Sequence, residues 1–194
     1  MTEVRLASVE EVPALSALLA DAFVDDAIMI WTTPGEQRFE RIRSFFAEFD
    51  TRTAASGWLW TVDGGAGVAL WVPPGTEAEF DELTFSVEDA GPEYESFWVW
   101  AESARPAEPH WYLDHLAVDA GARGSGLGVA LIEHGLAFAR ADRAPAFLCT
   151  SRPDNVGFYE RRGFVVEREG DAPGGGPHVW FMRSDPEGRD TGGR

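Results

Sequence analysis

The chain has 194 residues and a formal net charge of −17, with 44% hydrophobic and 25% charged residues, which suits one globular α/β domain with a full core. An excess of acid this large argues against nucleic acid or an anionic membrane surface as partner. All 16 basic residues are arginine, so a lysine-dependent phosphate loop and a Schiff-base lysine are both excluded.

The single cysteine, Cys149, rules out an internal disulfide and a cysteine zinc cluster. No apolar run reaches the roughly 18 residues of a membrane span. The opening "MTEVRLASVEEVPAL" lacks the basic-then-apolar order of a signal peptide, so a cytoplasmic protein is expected.

"EVRLAS" alternates like a strand, and Ser8 with Glu11 reads as a capping box for a first helix. That helix places Val12, Leu15, Leu18, Leu19, Ala22 and Phe23 on one face. "VDDAIMIWTTPGE" reads as a loop. A second helix from about Glu36 sets Phe39, Ile42, Phe46 and Phe49 inward. "WLWTVDGGAGVALWV" is a hairpin about Asp63-Gly64-Gly65. Helical stretches are expected over 76–90 and from Pro92 through "EYESFWVWAES". Then follow strand 110–118, helix 126–141, strand 145–151, helix 154–162, strand 163–168 and strand 177–183, with a mobile polar tail over 184–194.

"RGSGLGVAL", residues 123–131, is a glycine turn that opens a helix. A dinucleotide fold would place G-x-G-x-x-G near its first strand; here the spacing is G-x-G-x-G and the turn comes late. Backbone N–H groups of 124–129 at the positive end of a helix dipole can instead wrap a pyrophosphate, with Arg123 as a fixed charge. The alternative is an ordinary strand-to-helix turn.

Three motifs follow one another: the strand "YLDHLAVD", the R-x-x-G-x-G turn (Arg123, Gly126, Gly128), and "NVGFYERRGF" with Asn155, Tyr159, Gly163 and Phe164. Over about 108–183 the chain resembles the GCN5-related N-acetyltransferase (GNAT) superfamily. "EPHWYLDHLAV", "APAFLCTSRPDNVGFYERRGF" and "GPHVWFM" look most like its puromycin N-acetyltransferase branch and actinobacterial relatives. The resemblance implies an α/β (α+β) fold: a single GNAT domain, residues 1–183, around a mixed, mostly antiparallel sheet of six to seven strands with splayed central strands. Residues 1–109 would form the acceptor side and 110–183 the acetyl-CoA side.

The resemblance further implies acetyl-CoA as cosubstrate, held by Leu116, Ala117, Val118, Arg123, Gly124, Ser125, Gly126, Leu127, Gly128, Asn155 and Tyr159. Asn155 can alternatively cap its helix. Tyr159 is the implied general acid, and a backbone N–H at Leu116 or a neighbour the implied oxyanion donor. The base is Asp114, His115 or a water chain; adjacent residues on a strand face opposite ways, so at most one of the pair is expected to meet the substrate. The puromycin branch carries a glutamate where this chain has Cys149. A ping-pong role for Cys149 is the lesser reading, since buried strand cysteines behave as small hydrophobes.

On the acceptor side Asp25, Asp26 and Trp31 are the candidate substrate-binding residues, an acidic pair beside aromatic walls that suits an aromatic cation. His134 reads as a core histidine, and His110 and His178 lack metal spacing, so no metal is expected. The expected activity is direct transfer of acetyl to a small amine, an antibiotic or metabolite, by a monomer or homodimer. The alternatives are a protein or peptide N-acetyltransferase and a non-catalytic acyl-CoA-binding module.

Overall fold

The hairpin at Asp63-Gly64-Gly65 forms because these residues take the left-handed backbone, with φ of 49°, 67° and 97°. It joins two strands of a seven-stranded sheet in a computed structural model that describes residues 3–85 and 92–186. The strands are β1 (Val4–Leu6), β2 (Leu59–Val62), β3 (Gly67–Val72), β4 (Trp111–Val118), β5 (Ala146–Thr150), β6 (Val165–Asp171) and β7 (His178–Ser184). Their order is β1-β2-β3-β4-β5-β7-β6, antiparallel except for the central β4–β5 pair. The mixed, mostly antiparallel sheet expected from the sequence is the one observed.

Among the described residues seven α-helices accompany it: α1 (Val12–Phe23), α2 (Ala27–Thr32), α3 (Arg38–Ala55), α4 (Glu77–Phe85), α5 (Pro92–Glu102), α6 (Leu127–Asp142) and α7 (Pro153–Glu160). The expected loop after α1 is wrong in part. Asp26 caps α2 there, its Oδ1 accepting the Ile28 N–H at 2.9 Å. Six apolar and β-branched residues carried no helical period long enough to read. Strand β7 runs one residue into the expected tail, because Ser184 pairs with Ala146. The expected helix over 76–90 is seen to Phe85; residues 86–90, like 187–194 of the tail, lie outside the described residues.

Apolar periodicity decides which helix covers which face. On one side Leu15 and Leu19 of α1 pack with Ile42, Phe46 and Phe49 of α3 against Leu70, Tyr112 and Ala117 of the sheet. On the other, Leu127, Leu131, Ile132 and Leu136 of α6 pack on Ala69, Trp71 and Leu113. Trp71 is wholly buried and its Nε1–H donates to the Leu131 carbonyl at 3.1 Å. The indole fits only because residue 135 is glycine: a Cβ there would lie 2.0 Å from Trp71 Cε2.

Two irregularities in β4 create the site. Its parallel pairing with β5 stops at Leu113–Leu148, and beyond that point the two strands part. On its other edge Leu70 pairs with His115 while Trp71 pairs with Leu113, so Asp114 is the extra residue of a β-bulge.

Replacing Gly135 by Ala forces its methyl into the Trp71 ring. Overpacking of this kind should lower the unfolding free energy by about 3 kcal/mol, the upper end of its usual range, read from the midpoint shift in urea denaturation.

Candidate active site

The parting of β4 and β5 opens a cavity of about 540 Å³, reached by residues from both halves of the chain. One end is the glycine turn. Gly124 and Gly126 both adopt positive φ, 81° and 91°, and Gly126 leads into α6 with no side chain capping the helix. The first-turn N–H groups of α6 are therefore left for a ligand, at the positive end of the helix dipole. Arg123, Gly124, Gly126, Leu127 and Gly128 line this end together with Leu116, Ala117 and Val118 of β4. Ser125 does not join them; its hydroxyl donates to the Ala122 carbonyl and stabilises the turn.

Beyond Leu113 the β5-facing edge of β4 lacks a partner strand. Exposed strand edges pair with any extended chain of amides. Donor-rich turn, dipole and free strand edge suit a ligand with a pyrophosphate at one end and an amide-bearing arm at the other.

Asn155 and Tyr159 lie on α7, across the gap. The Asn155 amide Nδ2 donates to Thr150 Oγ1 at 3.3 Å, tying α7 to the end of β5. Asn155 is not the helix cap; Arg152 occupies that position, with its side chain making no capping bond. Tyr159 is buried at the cavity wall between Phe158 and Phe164. Burial raises its phenol above the ordinary range, the Cys149 side adding and Arg162 opposing. The group is thus protonated at neutral pH, a proton donor rather than a base.

The other end of the cavity is an aromatic chamber. Phe23 comes from α1, Phe45, Phe46 and Phe49 from α3, and Tyr94 and Trp98 from α5. Asp114 and His115 reach into it side by side. The expected alternation fails here: the bulge inserts one residue between Tyr112 and His115, which both serve the α1/α3 face, and turns Asp114 toward its neighbour. Asp114 Oδ1 and His115 Nδ1 are 2.9 Å apart.

A third member was not among the sequence candidates. Asp50 of α3, with no exposed surface, places Oδ1 3.4 Å from His115 Nε2. The signal was available: Asp50 stands four residues after Phe46, on the helix face that carries Ile42, Phe49 and Thr53. An acid on an apolar stripe is unusual enough to mark a site.

Cys149, also in the wall, is held as a thiol. Burial and the nearby Asp114 charge push it up to about 12, against a contact with Tyr112 that lowers it. Asp26 lines the cavity, but both oxygens are engaged: Oδ1 caps α2 and Oδ2 accepts the Ser151 hydroxyl at 2.9 Å. Asp25 is exposed and outside the lining, because the cap geometry that turns Asp26 inward leaves its predecessor outward. Trp31 is also outside it, packed over Gly174 and Gly176; a Cβ added at Gly176 would lie 3.1 Å from the indole. Trp58 and Trp71 are core, and Trp98 is the tryptophan that reaches the chamber. His134 packs at a tilt against Trp60 and edge-on to Phe138. Among the described residues no group of three or more His, Cys, Asp or Glu could hold a metal ion, and no helix is long and apolar enough to cross a membrane.

A model of the acetyltransferase (GNAT) family matches residues 17–164. The chain belongs to this family. Among solved structures, the histone acetyltransferase HPA2 and related acetyltransferase of Corynebacterium glutamicum is 25% identical, with a TM-score of 0.71 over 95% of this chain and 96% of that one. Drosophila melanogaster polyamine N-acetyltransferase shares the fold at 15% identity and a TM-score of 0.69, covering 95% of this chain and 100% of its own. Aedes aegypti arylalkylamine N-acetyltransferase 2 does so at 16% and 0.64, covering 95% and 99%. The GNAT chain is an N-acetyltransferase, and acetyl-CoA is the donor its family uses.

With its thiol near 12, Cys149 should resist alkylation by iodoacetamide at pH 7.5 in the folded protein and react once denaturant is added. Intact-mass spectrometry reads the difference; rapid labelling of the native chain would contradict the thiol assignment.

Proposed function

We propose that this GNAT enzyme acetylates a small apolar monoamine, carrying an aromatic or similarly flat body, by direct transfer in a ternary complex. The observation that carries the reading is the Asp114–His115 pair, hydrogen-bonded and projecting into an aromatic chamber. An ammonium group finds there both a carboxylate and aromatic faces, which attract cations through their quadrupoles. The cavity of about 540 Å³ must also admit the thioester arm, so the acceptor is small.

In this reading the N–H groups at 124 and 126–129 and Arg123 hold the pyrophosphate, and the free edge of β4 at Leu116, Ala117 and Val118 holds the pantetheine amides, with Asn155 alongside. Acetyl-CoA supplies an activated acyl group. Asp114 takes the proton that the ammonium must lose before its nitrogen can attack. The backbone N–H of Leu116 or a neighbour then polarises the carbonyl. As the new C–N bond forms and the C–S bond breaks, Tyr159 gives its proton to the leaving sulfur; the nitrogen's second proton and the one held by Asp114 pass to solvent, from which Tyr159 recovers its own. A positioned donor of this kind contributes roughly 10²–10⁴-fold in rate.

Enzymes of this fold are named for polyamine, agmatine and arylalkylamine substrates. The walls described above favour the arylalkylamine type over a polycation. Among the described residues the carboxylates of the lining are Asp114 and Asp26, and each Asp26 oxygen already accepts a hydrogen bond, which makes it a weaker partner for a second ammonium. The sequence resemblance to the puromycin branch points the same way, to an amine on an aromatic scaffold, and makes an antibiotic-inactivating role in the cytoplasm the finer proposal.

Thiol release from acetyl-CoA should be measured with puromycin, an arylalkylamine, agmatine and a polyamine, with products read by mass spectrometry. The aromatic monoamines are expected to exceed the polyamine about tenfold or more in kcat/KM, one desolvated charge–aromatic contact being worth that much. Acetylation of peptides alone would replace the small-amine reading. Tyr159→Phe should lower kcat about 10²-fold or more with unchanged acetyl-CoA affinity. A variant with full rate would remove Tyr159 from the chemistry.

A further inference from the structure

Asp50 is a buried acid that the transfer step does not use. It has no exposed surface, its Oδ2 has no hydrogen-bond partner, and its Oδ1 lies 3.4 Å from both Thr53 Oγ1 and His115 Nε2, the latter an ion-pair approach at a nitrogen that makes no hydrogen bond. A carboxylate is not left in an apolar core without a counter-charge. The counter-charge available is His115, whose ring is gripped edge-on by Phe46 and Phe49 at centroid distances of 5.2 and 6.4 Å. Its outer nitrogen, Nδ1, meets Asp114.

We propose that Asp50 is a positioning residue for acceptor deprotonation: it anchors the inner nitrogen of His115, so that the outer nitrogen is fixed as a donor to Asp114, and it leaves the row Asp114–His115–Asp50 with one net negative charge for a monocationic amine to neutralise.

The geometry explains why both carboxylates are needed. A neutral imidazole can place its single proton on either nitrogen, and the wrong tautomer turns a lone pair toward Asp114. With an acid at each nitrogen, both nitrogens are protonated and the ring carries its charge. Burial disfavours that charge, but Asp50 and Asp114 together outweigh it and raise His115 above the ordinary histidine range. Desolvation in turn pushes Asp50 up to about 6, with His115 opposing and Asp114 adding. The charged groups facing His115 are Asp50 on α3, which Thr53 Oγ1 approaches, and Asp114 on β4. Asp114 itself acts on Tyr94 of α5, Tyr112 of β4, Cys149 of β5 and Arg105 after α5. Two carboxylates and one imidazolium sum to a single negative charge.

The sign follows. His115 keeps its proton through neutral pH and loses it as pH rises past its raised value; removing Asp50 moves that loss downward, toward and below the ordinary range.

This inference rests on Asp114 as the base, and its test separates the two. Ring ¹H–¹⁵N spectra of the full chain, which has four histidines, follow His115 directly, its signal identified by its loss in His115→Gln. In the wild type His115 should be doubly protonated at pH 7. In Asp50→Asn its titration midpoint should fall by about one pH unit or more. The kcat/KM for an aromatic monoamine should fall about tenfold or more, while acetyl-CoA affinity stays within about twofold. Asp50→Glu should restore part of both. An unchanged His115 titration in Asp50→Asn, or equal losses toward amine and acetyl-CoA, overturns the proposal. Should Asp50→Asn not fold, the wild-type spectrum still decides: His115 singly protonated at pH 7 overturns it. Full turnover by Asp114→Asn would instead overturn the base assignment and leave the His115 shift standing or falling by itself.

Discussion

The site depends on a fault in hydrogen bonding at the centre of the sheet. Strands β4 and β5 pair for three residues and then separate at Leu113 and Leu148. Buried backbone groups are almost always paired, so a strand edge left open inside a fold calls for a partner from outside. Here the opening becomes a cavity running from the start of α6 to the aromatic side chains of α1, α3 and α5. The bulge on the other edge of β4 is coupled to the same fault, since one extra residue bends the strand away from its regular course. Asp114 is that residue. The two backbone irregularities of β4 thus open the cavity and turn Asp114 toward His115 within it.

The two ends of the cavity have opposite polarity within one acidic chain. At one end Arg123 and the uncapped N-terminus of α6 present positive charge without a lysine. At the other, Asp114 and Asp50 bracket His115 among phenylalanines. Such a field would steer an anion to one end and a cation to the other. Exclusion of water by the aromatic wall strengthens the inner end, because charges away from water interact more strongly. Asp26 belongs to this arrangement differently from the way its sequence position suggested. By capping α2 and accepting from Ser151, it joins the segment over the acceptor end to the tip of β5.

Periodic and motif-bearing stretches were readable. The 3.6-residue pattern of α1, α3 and α6, the Asp-Gly-Gly hairpin and the Pro92 helix start all correspond to observed elements. Local rules failed where a few residues serve a tertiary purpose. Helix α2 spans six residues, held by one cap and by packing rather than by its own propensity. Asn155 looked able to cap α7, yet its amide reaches back to Thr150. Trp31, adjacent to the acidic pair in sequence, found its partners in Gly174 and Gly176, more than a hundred residues along the chain.

The sequence by itself determined the family, the glycine turn before α6, the Tyr159 motif and the alternation of strands with helices, because these follow from residue spacing over a few turns of chain. Which side chains meet was decided only in three dimensions. Alternation along β4 put Asp114 and His115 on opposite faces, and the bulge, set by the pairing of β3 with β4, brought them together. Asp50 lies 65 positions before His115 in the chain, and only the packing of α3 on β4 places its carboxylate 3.4 Å from the imidazole. Neither contact is encoded in local propensity: both come from the way the two faces of the sheet fill with side chains, a property of the whole chain folded at once.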